Sequence, residues 1–234
     1  MTRRRWIADQ VSGNRAALVG EHAAHLARVL RAQVGQEFDI AADGVLRRGR
    51  VVSVNPERVE FELGEEIAAA PTATVTLALP IFKFDRMEWA IEKCTELGVA
   101  GIVPFAAQRT DSHLAAAAKK RVERWRRIAR EASEQARRVA PPEVGDPVKL
   151  HEVLALAGGR RIVLSEAETA TSLREACGAD GSSLVLAIGP EGGWTNQELQ
   201  SFAQAGWKSA SLGKTILRAE TAAIAAVAVV MAQL

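Results

Sequence analysis

Two segments near the carboxyl end of the sequence carry residue types that could bind a ligand and act on it. The first is Gly189-Pro190-Glu191-Gly192-Gly193, in which glycines surround a single carboxylate. Glycines let the backbone approach a ligand closely and leave its amide groups free to donate hydrogen bonds. A tight turn without a ligand is the alternative interpretation. The Gly-x-Gly-x-x-Gly fingerprint and the P-loop pattern are both missing here, which argues against a nicotinamide or P-loop nucleotide site.

The second segment places charged residues in an otherwise apolar end of the chain. It reads Leu212-Gly213-Lys214-Thr215-Ile216-Leu217-Arg218-Ala219-Glu220-Thr221-Ala222. Charged groups persist in apolar surroundings when they are paired or used. Arg218 and Glu220 are therefore candidate functional residues. An ion pair between them, or a helix-capping role for Glu220, is the structural alternative.

Both segments follow short apolar strands in a predicted alternation of strands and helices. We predict strands at 74–79, 101–105, 161–164, 183–188 and 209–212. We predict helices at 85–97 with Asp85 as a cap, at 115–139, and at 196–205 behind the capping box Thr195 and Glu198. This alternation is typical of a mostly parallel α/β sheet. Ligands bind such sheets at the carboxyl ends of the strands, where both segments lie.

The amino-terminal part of the sequence has a different pattern. Strand-like runs at 37–40 and 50–54 are separated by turn residues, and a helix is predicted at 21–31. We therefore predict two domains, a small β-rich one at 1–68 and an α/β one at 69–234. A pattern-poor linker at 65–71 lies at this boundary.

Composition and charge narrow the class of protein. The 234 residues are 48% hydrophobic and 25% charged, as in ordinary folded proteins. Cys94 and Cys177 are far apart and His22 and His25 lack nearby thiol or carboxylate ligands, so we predict neither disulfides nor a metal site. No signal peptide is indicated, and the apolar segment 222–234 is shorter than the roughly 20 residues of a membrane-spanning helix. We expect a cytoplasmic protein with no membrane partner.

Basic residues are concentrated in one region of a chain whose net charge is only +2. Residues 119–138 contain nine basic and three acidic side chains. Such a region can attract phosphate groups by releasing counterions, although a solvated helix face has the same composition.

The two carboxyl-terminal motifs together resemble the bacterial 16S ribosomal RNA uridine N3-methyltransferases of the RsmE type, members of the SPOUT trefoil-knot superfamily. The resemblance extends to His25 through Arg31, Lys83, Lys93 through Val99, and Glu131 through Arg137, and it covers nearly the whole chain. It implies a mostly parallel sheet flanked by helices with a carboxyl-terminal trefoil knot, and a small amino-terminal PUA-like β-barrel. It also implies S-adenosyl-L-methionine as cofactor, 16S rRNA on the 30S ribosomal subunit as substrate, and a homodimer.

The binding roles below follow from the resemblance, and the catalytic roles are a hypothesis based on the chemistry of methyl transfer. Arg218 is expected to stabilise negative charge on the uracil oxygens, and Glu220 or Glu191 to orient the site or accept a proton, with the choice between them open. The expected cofactor-binding residues are Leu164, Ile188, Gly189, Pro190, Glu191, Gly192, Gly193, Leu212, Gly213, Ile216, Leu217 and Arg218. The expected RNA-binding residues are Arg4, Arg5 and Arg31 in the amino-terminal domain, and Lys83, Arg109, Arg137 and Arg138 in the catalytic domain.

Two other interpretations stay open at this point. One is a methyltransferase of the same superfamily that acts on another nucleotide of ribosomal or transfer RNA. The other is a non-catalytic RNA-binding assembly factor, which predicts that no cofactor binds.

Overall fold

Two β-sheets, one mixed and one parallel, organise the chain in a computed structural model that describes residues 5–68, 74–178 and 183–233. The first structural unit contains Met1–Pro71 together with Ser133–Ala140. The second contains Thr72–Ala132 and Pro141–Leu234. Nothing in the sequence pattern indicated that residues 133–140 belong with the first unit.

The first unit is built on a six-stranded sheet. Its strands are β1 (Arg5–Ile7), β2 (Gln10–Ser12), β3 (Arg15–Val19), β4 (Glu37–Ala42), β5 (Val45–Asn55) and β6 (Arg58–Glu66), in the order β1-β4-β5-β6-β3-β2. The β1–β4 pair is parallel and the other pairs are antiparallel. The predicted helix at 21–31 is a short α1 (Gly20–Ala24) that continues as a π-helical turn, His25–Val29.

The second unit contains a sheet in which every pairing is parallel, as the strand–helix alternation predicted. Its strands are β7 (Val75–Pro80), β8 (Gly101–Ala106), β9 (Glu143–Val144), β10 (Val148–Lys149), β11 (Arg160–Leu164), β12 (Leu184–Ala187) and β13 (Lys208–Ala210). The order is β10-β8-β7-β12-β11-β13, with β9 also paired to β8.

Helices cover both faces of this sheet. They are α2 (Phe84–Leu97), α3 (Ser112–Ala118), α4 (Val122–Gln135), α5 (Leu150–Leu154), α6 (Leu173–Cys177), α7 (Asn196–Gln204) and α8 (Ala219–Met231). Alternate residues of the central strands point to opposite faces: Leu77 belongs to the core cluster that includes α2 and α8, and Ala78 to the cluster that includes Phe202 of α7. Burial on both faces explains the continuous apolar runs of these strands. No helix among the described residues has the length and apolar character to cross a membrane.

The helix boundaries confirm one capping prediction, correct another, and divide one predicted helix. Thr195 and Glu198 form the predicted capping box of α7, with reciprocal bonds of 2.9 and 3.2 Å. Asp85 does not cap α2, because Lys83 occupies the cap position and Asp85 lies in the first turn. The helix predicted at 115–139 is divided into α3, a 3₁₀ turn at Lys119–Arg121, and α4. The helical region begins before the predicted residue 115, because the Asp111 carboxylate caps α3 by accepting hydrogen bonds from two backbone N–H groups.

Both cysteine thiols are free and buried. Cys94 lies on the inner face of α2 within the main core cluster, and burial raises the pKa of its thiol to about 12. Because the thiolate is the nucleophile, Cys94 has little reactive form near neutral pH.

We therefore expect Cys94 to resist alkylation in the native protein. Iodoacetamide at mildly alkaline pH should leave the Cys94 peptide unmodified until denaturant is added, as read by mass spectrometry. Labelling of native Cys94 as fast as a free thiol peptide would show that α2 is not packed as described.

Candidate active site

A cavity of about 530 Å³ opens where β11, β12 and β13 end. Its wall is formed by the three segments that follow these strands, residues 164–166, 188–194 and 211–219, together with Ala222 of α8. All twelve residues expected to form a cofactor site line this cavity. The sheet therefore brings together two motifs that are separated in sequence, as the strand-end rule predicts.

The glycines of the first motif lie in tightly packed surroundings and also line the cavity. A Cβ atom on Gly192 would lie 3.1 Å from Cβ of Arg109, and one on Gly189 would lie 3.1 Å from Nε1 of Trp194. Gly193 has φ of +70°, a left-handed conformation that side chains disfavour, and its N–H donates to the carbonyl of Pro190 at 2.8 Å. The motif is thus a tight turn that also forms a cavity wall.

Arg109 holds this turn from its outer side. Its Nη1 atom donates a 2.7 Å hydrogen bond to the carbonyl oxygen of Gly192. The backbone next to Arg109 is also held in place, because the N–H of Gln108 donates a 2.8 Å hydrogen bond to the carboxylate of buried Glu198. Arg109, expected to bind RNA, therefore has a structural contact with the glycine turn, and its RNA contact stays a prediction.

Trp194 was missed in the sequence analysis, although it directly follows the glycine motif. Its indole N–H donates to the carbonyl of Leu164 at 2.8 Å, which joins the ends of β11 and β12. Its ring stacks on Phe105 at 6.0 Å and meets Phe202 edge-on at 4.9 Å. Indole N–H groups that are removed from water usually find an acceptor, and here that acceptor fixes the geometry of the cavity.

The second motif supplies an exposed wall. Ile216 is 81% exposed although it is a large apolar residue, and it borders the cavity. Arg218 is also exposed and occupies the position before α8, where its carbonyl accepts from Ala222 at 2.8 Å. An exposed isoleucine beside an arginine gives this wall both apolar and cationic contact groups.

The two candidate carboxylates meet at one guanidinium that the sequence analysis missed. Arg86 of α2 donates from Nη1 to Oε1 of Glu191 at 3.0 Å, and its Nε lies 3.7 Å from Oε1 of Glu220. Glu220 therefore pairs with Arg86, so the expected structural alternative of an Arg218–Glu220 pair is wrong. Glu191 lines the cavity, whereas Glu220, with a side chain only 7% exposed, is not among the described residues that line it.

The remaining basic candidates lie in both units. In the first unit, Arg31 and Arg137 are exposed, and the Arg5 guanidinium donates to the carbonyl of Arg137. Burial lowers the pKa of Arg5 and of Arg138. Arg137 and Arg138 were expected on the catalytic domain but belong to the first unit. Arg4 lies outside the described residues.

Lys83 is exposed in the second unit, at the cap position of α2. Among the described residues, no group of three or more His, Cys, Asp or Glu side chains is arranged to hold a metal ion.

Known proteins are similar to this chain in sequence and in fold. A ribosomal RNA small subunit methyltransferase E of Bacillus subtilis is 32% identical, over 93% of this chain and 90% of that protein. The crystal structure of a ribosomal RNA small subunit methyltransferase E from Neisseria gonorrhoeae, bound to S-adenosyl methionine, superposes with a TM-score of 0.83 at 29% identity, covering 97% of this chain and 96% of that one. A methyltransferase structure from Legionella pneumophila, in complex with the cofactor SAM, gives a TM-score of 0.83 at 28% identity, covering 99% and 98%.

The parallel sheet and its strand-end cavity define an α/β domain with a cavity of small-molecule size, and the family model for the RNA methyltransferase domain matches it over residues 69–231. That match and the 32% identity to the Bacillus subtilis protein together establish the relationship. The chain belongs to the RNA methyltransferase family, among the ribosomal RNA small subunit methyltransferase E proteins. The resemblance predicted from the sequence motifs is confirmed.

The contact between Arg109 and the glycine turn is testable. Replacing Arg109 with alanine removes one hydrogen bond, a change of roughly 1 kcal/mol that corresponds to about fivefold faster local opening. Hydrogen exchange of a peptide covering residues 189–194 should accelerate by that factor, whereas Arg174→Ala, which alters an exposed arginine of α6, should leave it unchanged. Equal protection in Arg109→Ala and the unaltered protein would contradict the structural role.

Proposed function

We propose that this protein uses S-adenosylmethionine to methylate N3 of a uridine in 16S rRNA of the small ribosomal subunit. The observation that carries the proposal is the strand-end cavity, which both motifs of the family resemblance line together. The relatives support it, because proteins named ribosomal RNA small subunit methyltransferase E match nearly the whole chain and two similar structures contain the cofactor.

The residues of the cavity fit such a cofactor. Its volume of about 530 Å³ lies within the roughly 300–1,000 Å³ of ordinary small-molecule sites. Leu164, Leu212 and Ile216 offer apolar surface for an adenine ring, and the glycine turn offers backbone groups at close range. The bound cofactor supplies a methyl group on a sulfonium, which reacts with a nucleophile held in line with the carbon–sulfur bond.

The charged residues of the site suit attack by uracil N3. This nitrogen is mostly protonated at neutral pH and must lose its proton before or during attack. Arg218, exposed on the cavity wall, would stabilise the negative charge that develops on the uracil oxygens. Glu191 on the wall, or buried Glu220, would accept the proton or orient the groups that do.

The substrate must present an unpaired base, because pairing occupies N3. RNA of this kind is recognised by shape and by phosphate contacts as well as by the base. In the proposal, the first unit is a PUA-like RNA-binding barrel contributing Arg4, Arg5, Arg31, Arg137 and Arg138. Lys83 and Arg109 contribute from the second unit, which would carry a carboxyl-terminal trefoil knot. The enzyme would act in the cytoplasm as a homodimer on the 30S subunit.

Cofactor binding should depend on the left-handed glycine of the first motif. Gly193→Ala adds a side chain at φ of +70°, at a cost of about 1–2 kcal/mol, and places its Cβ 3.2 Å from the Glu166 carboxylate. We expect affinity for S-adenosylmethionine, measured by calorimetry, to fall about tenfold or more. The control is Gly145→Ala, whose φ is unstrained and whose Cβ would lie no nearer than 3.8 Å to a neighbour. Equal affinities in the two variants would contradict this use of the glycine turn.

Methyl transfer should depend on Arg218. With labelled cofactor and undermodified 30S subunits, the unaltered protein and Arg174→Ala should place label in 3-methyluridine. Arg218→Ala should reduce the rate about 100-fold, the usual effect of removing a charge-stabilising group.

The product and the binding data separate the competing functions. Label in a different nucleoside would reassign the substrate. Absence of label in every nucleoside, with no cofactor bound, would leave an RNA-binding assembly factor.

A further inference from the structure

Arg86 lies outside both sequence motifs and still contacts both candidate carboxylates. It is in the first turn of α2, just beyond the carboxyl end of β7. Its guanidinium donates to Glu191 at 3.0 Å and lies 3.7 Å from Glu220. Three elements, namely α2, the glycine turn and the start of α8, are therefore joined through one side chain.

Burial makes this contact more than a surface ion pair. Glu220 is 5% exposed, and its Oε2 atom is buried with no hydrogen-bond partner among the described residues. A buried carboxylate needs a compensating cation, and within the described part of the chain the cation within 4.0 Å of Glu220 is Arg86. The Glu191 side chain, in contrast, is 39% exposed, so its bond to Arg86 contributes little to stability and mainly fixes its orientation.

Only an arginine suits this arrangement. Its planar guanidinium presents donors in several directions, so Nη1 can serve one carboxylate while Nε faces another. A lysine ammonium is a single point charge and cannot reproduce both contacts at these distances.

We propose that Arg86 is a positioning residue for methyl transfer, which fixes the orientation of Glu191 on the cavity wall and of buried Glu220. The inference rests on the proposed methyl transfer and adds a role for a residue outside both motifs. Arg86 is not among the described residues that line the cavity, so its proposed action is through the two glutamates. Its loss should therefore reduce the rate of the chemical step more than the affinity for either substrate.

The test compares Arg86→Met, Arg86→Lys and the control Arg174→Met with the unaltered protein. Single-turnover methyl transfer is measured with cofactor and 30S subunits saturating, beside cofactor affinity and thermal unfolding. We expect both Arg86 variants to lose about 10-fold to 100-fold in rate with cofactor affinity within about twofold, since misplaced catalytic groups have effects of this size. Arg174→Met should keep the full rate. Arg86→Lys keeps the positive charge, so a reduced rate in this variant shows that the geometry of the guanidinium matters. This result is informative even if Arg86→Met folds poorly.

A double-mutant comparison distinguishes action through the glutamates from an independent role. In a Glu191→Gln, Glu220→Gln background, adding Arg86→Met should cause much less than its usual loss, because the groups it positions are already altered. A full rate in both Arg86 variants, a loss confined to cofactor affinity, or losses that multiply in the combined variant would overturn the inference. Absence of transfer by the unaltered protein would instead overturn the proposed function.

Discussion

The site depends on one constraint, the parallel pairing of β11 with both β12 and β13. Parallel strands end at the same edge of a sheet, so the segments that follow them converge whatever their distance in sequence. Alternate residues of β11 and β12 pack in two different core clusters, so a shift by one residue would exchange the side chains of the two faces. The cavity is thus a consequence of how the core packs, and its chemistry is set by the three segments placed on that edge.

Side-chain hydrogen bonds hold the glycine turn, residues 189–193, in place at this edge of the sheet. Arg109 holds the turn through a carbonyl, and Trp194 ties the neighbouring segment to the end of β11. Glycine suits positions 189 and 192 because a Cβ atom there would lie only 3.1 Å from a neighbouring side chain, which would have to shift. The same residues that suit a ligand therefore also suit close packing, which is why the turn and binding-site interpretations of the motif are compatible.

Much of this was predictable from local patterns. Apolar runs located five of the seven strands described in the second sheet, but not the two-residue strands β9 and β10, and Thr195 with Glu198 located the start of α7. Both motifs lie on the cavity because each follows a strand. Arg86 and Trp194 were missed, since their contacts join residues far apart in sequence and no spacing rule reports them. The interruption of the predicted helix at 115–139 and the return of residues 133–140 to the first unit were missed because both depend on tertiary packing.

A crystal structure of this protein with S-adenosylhomocysteine, the demethylated form of the proposed cofactor, tests the central claim most directly. We predict that the ligand lies in the strand-end cavity, against the glycine turn at residues 189–193 and the wall at residues 212–218. Binding at a different place, or an empty cavity at saturating ligand, would contradict the assignment of this cavity as the cofactor site.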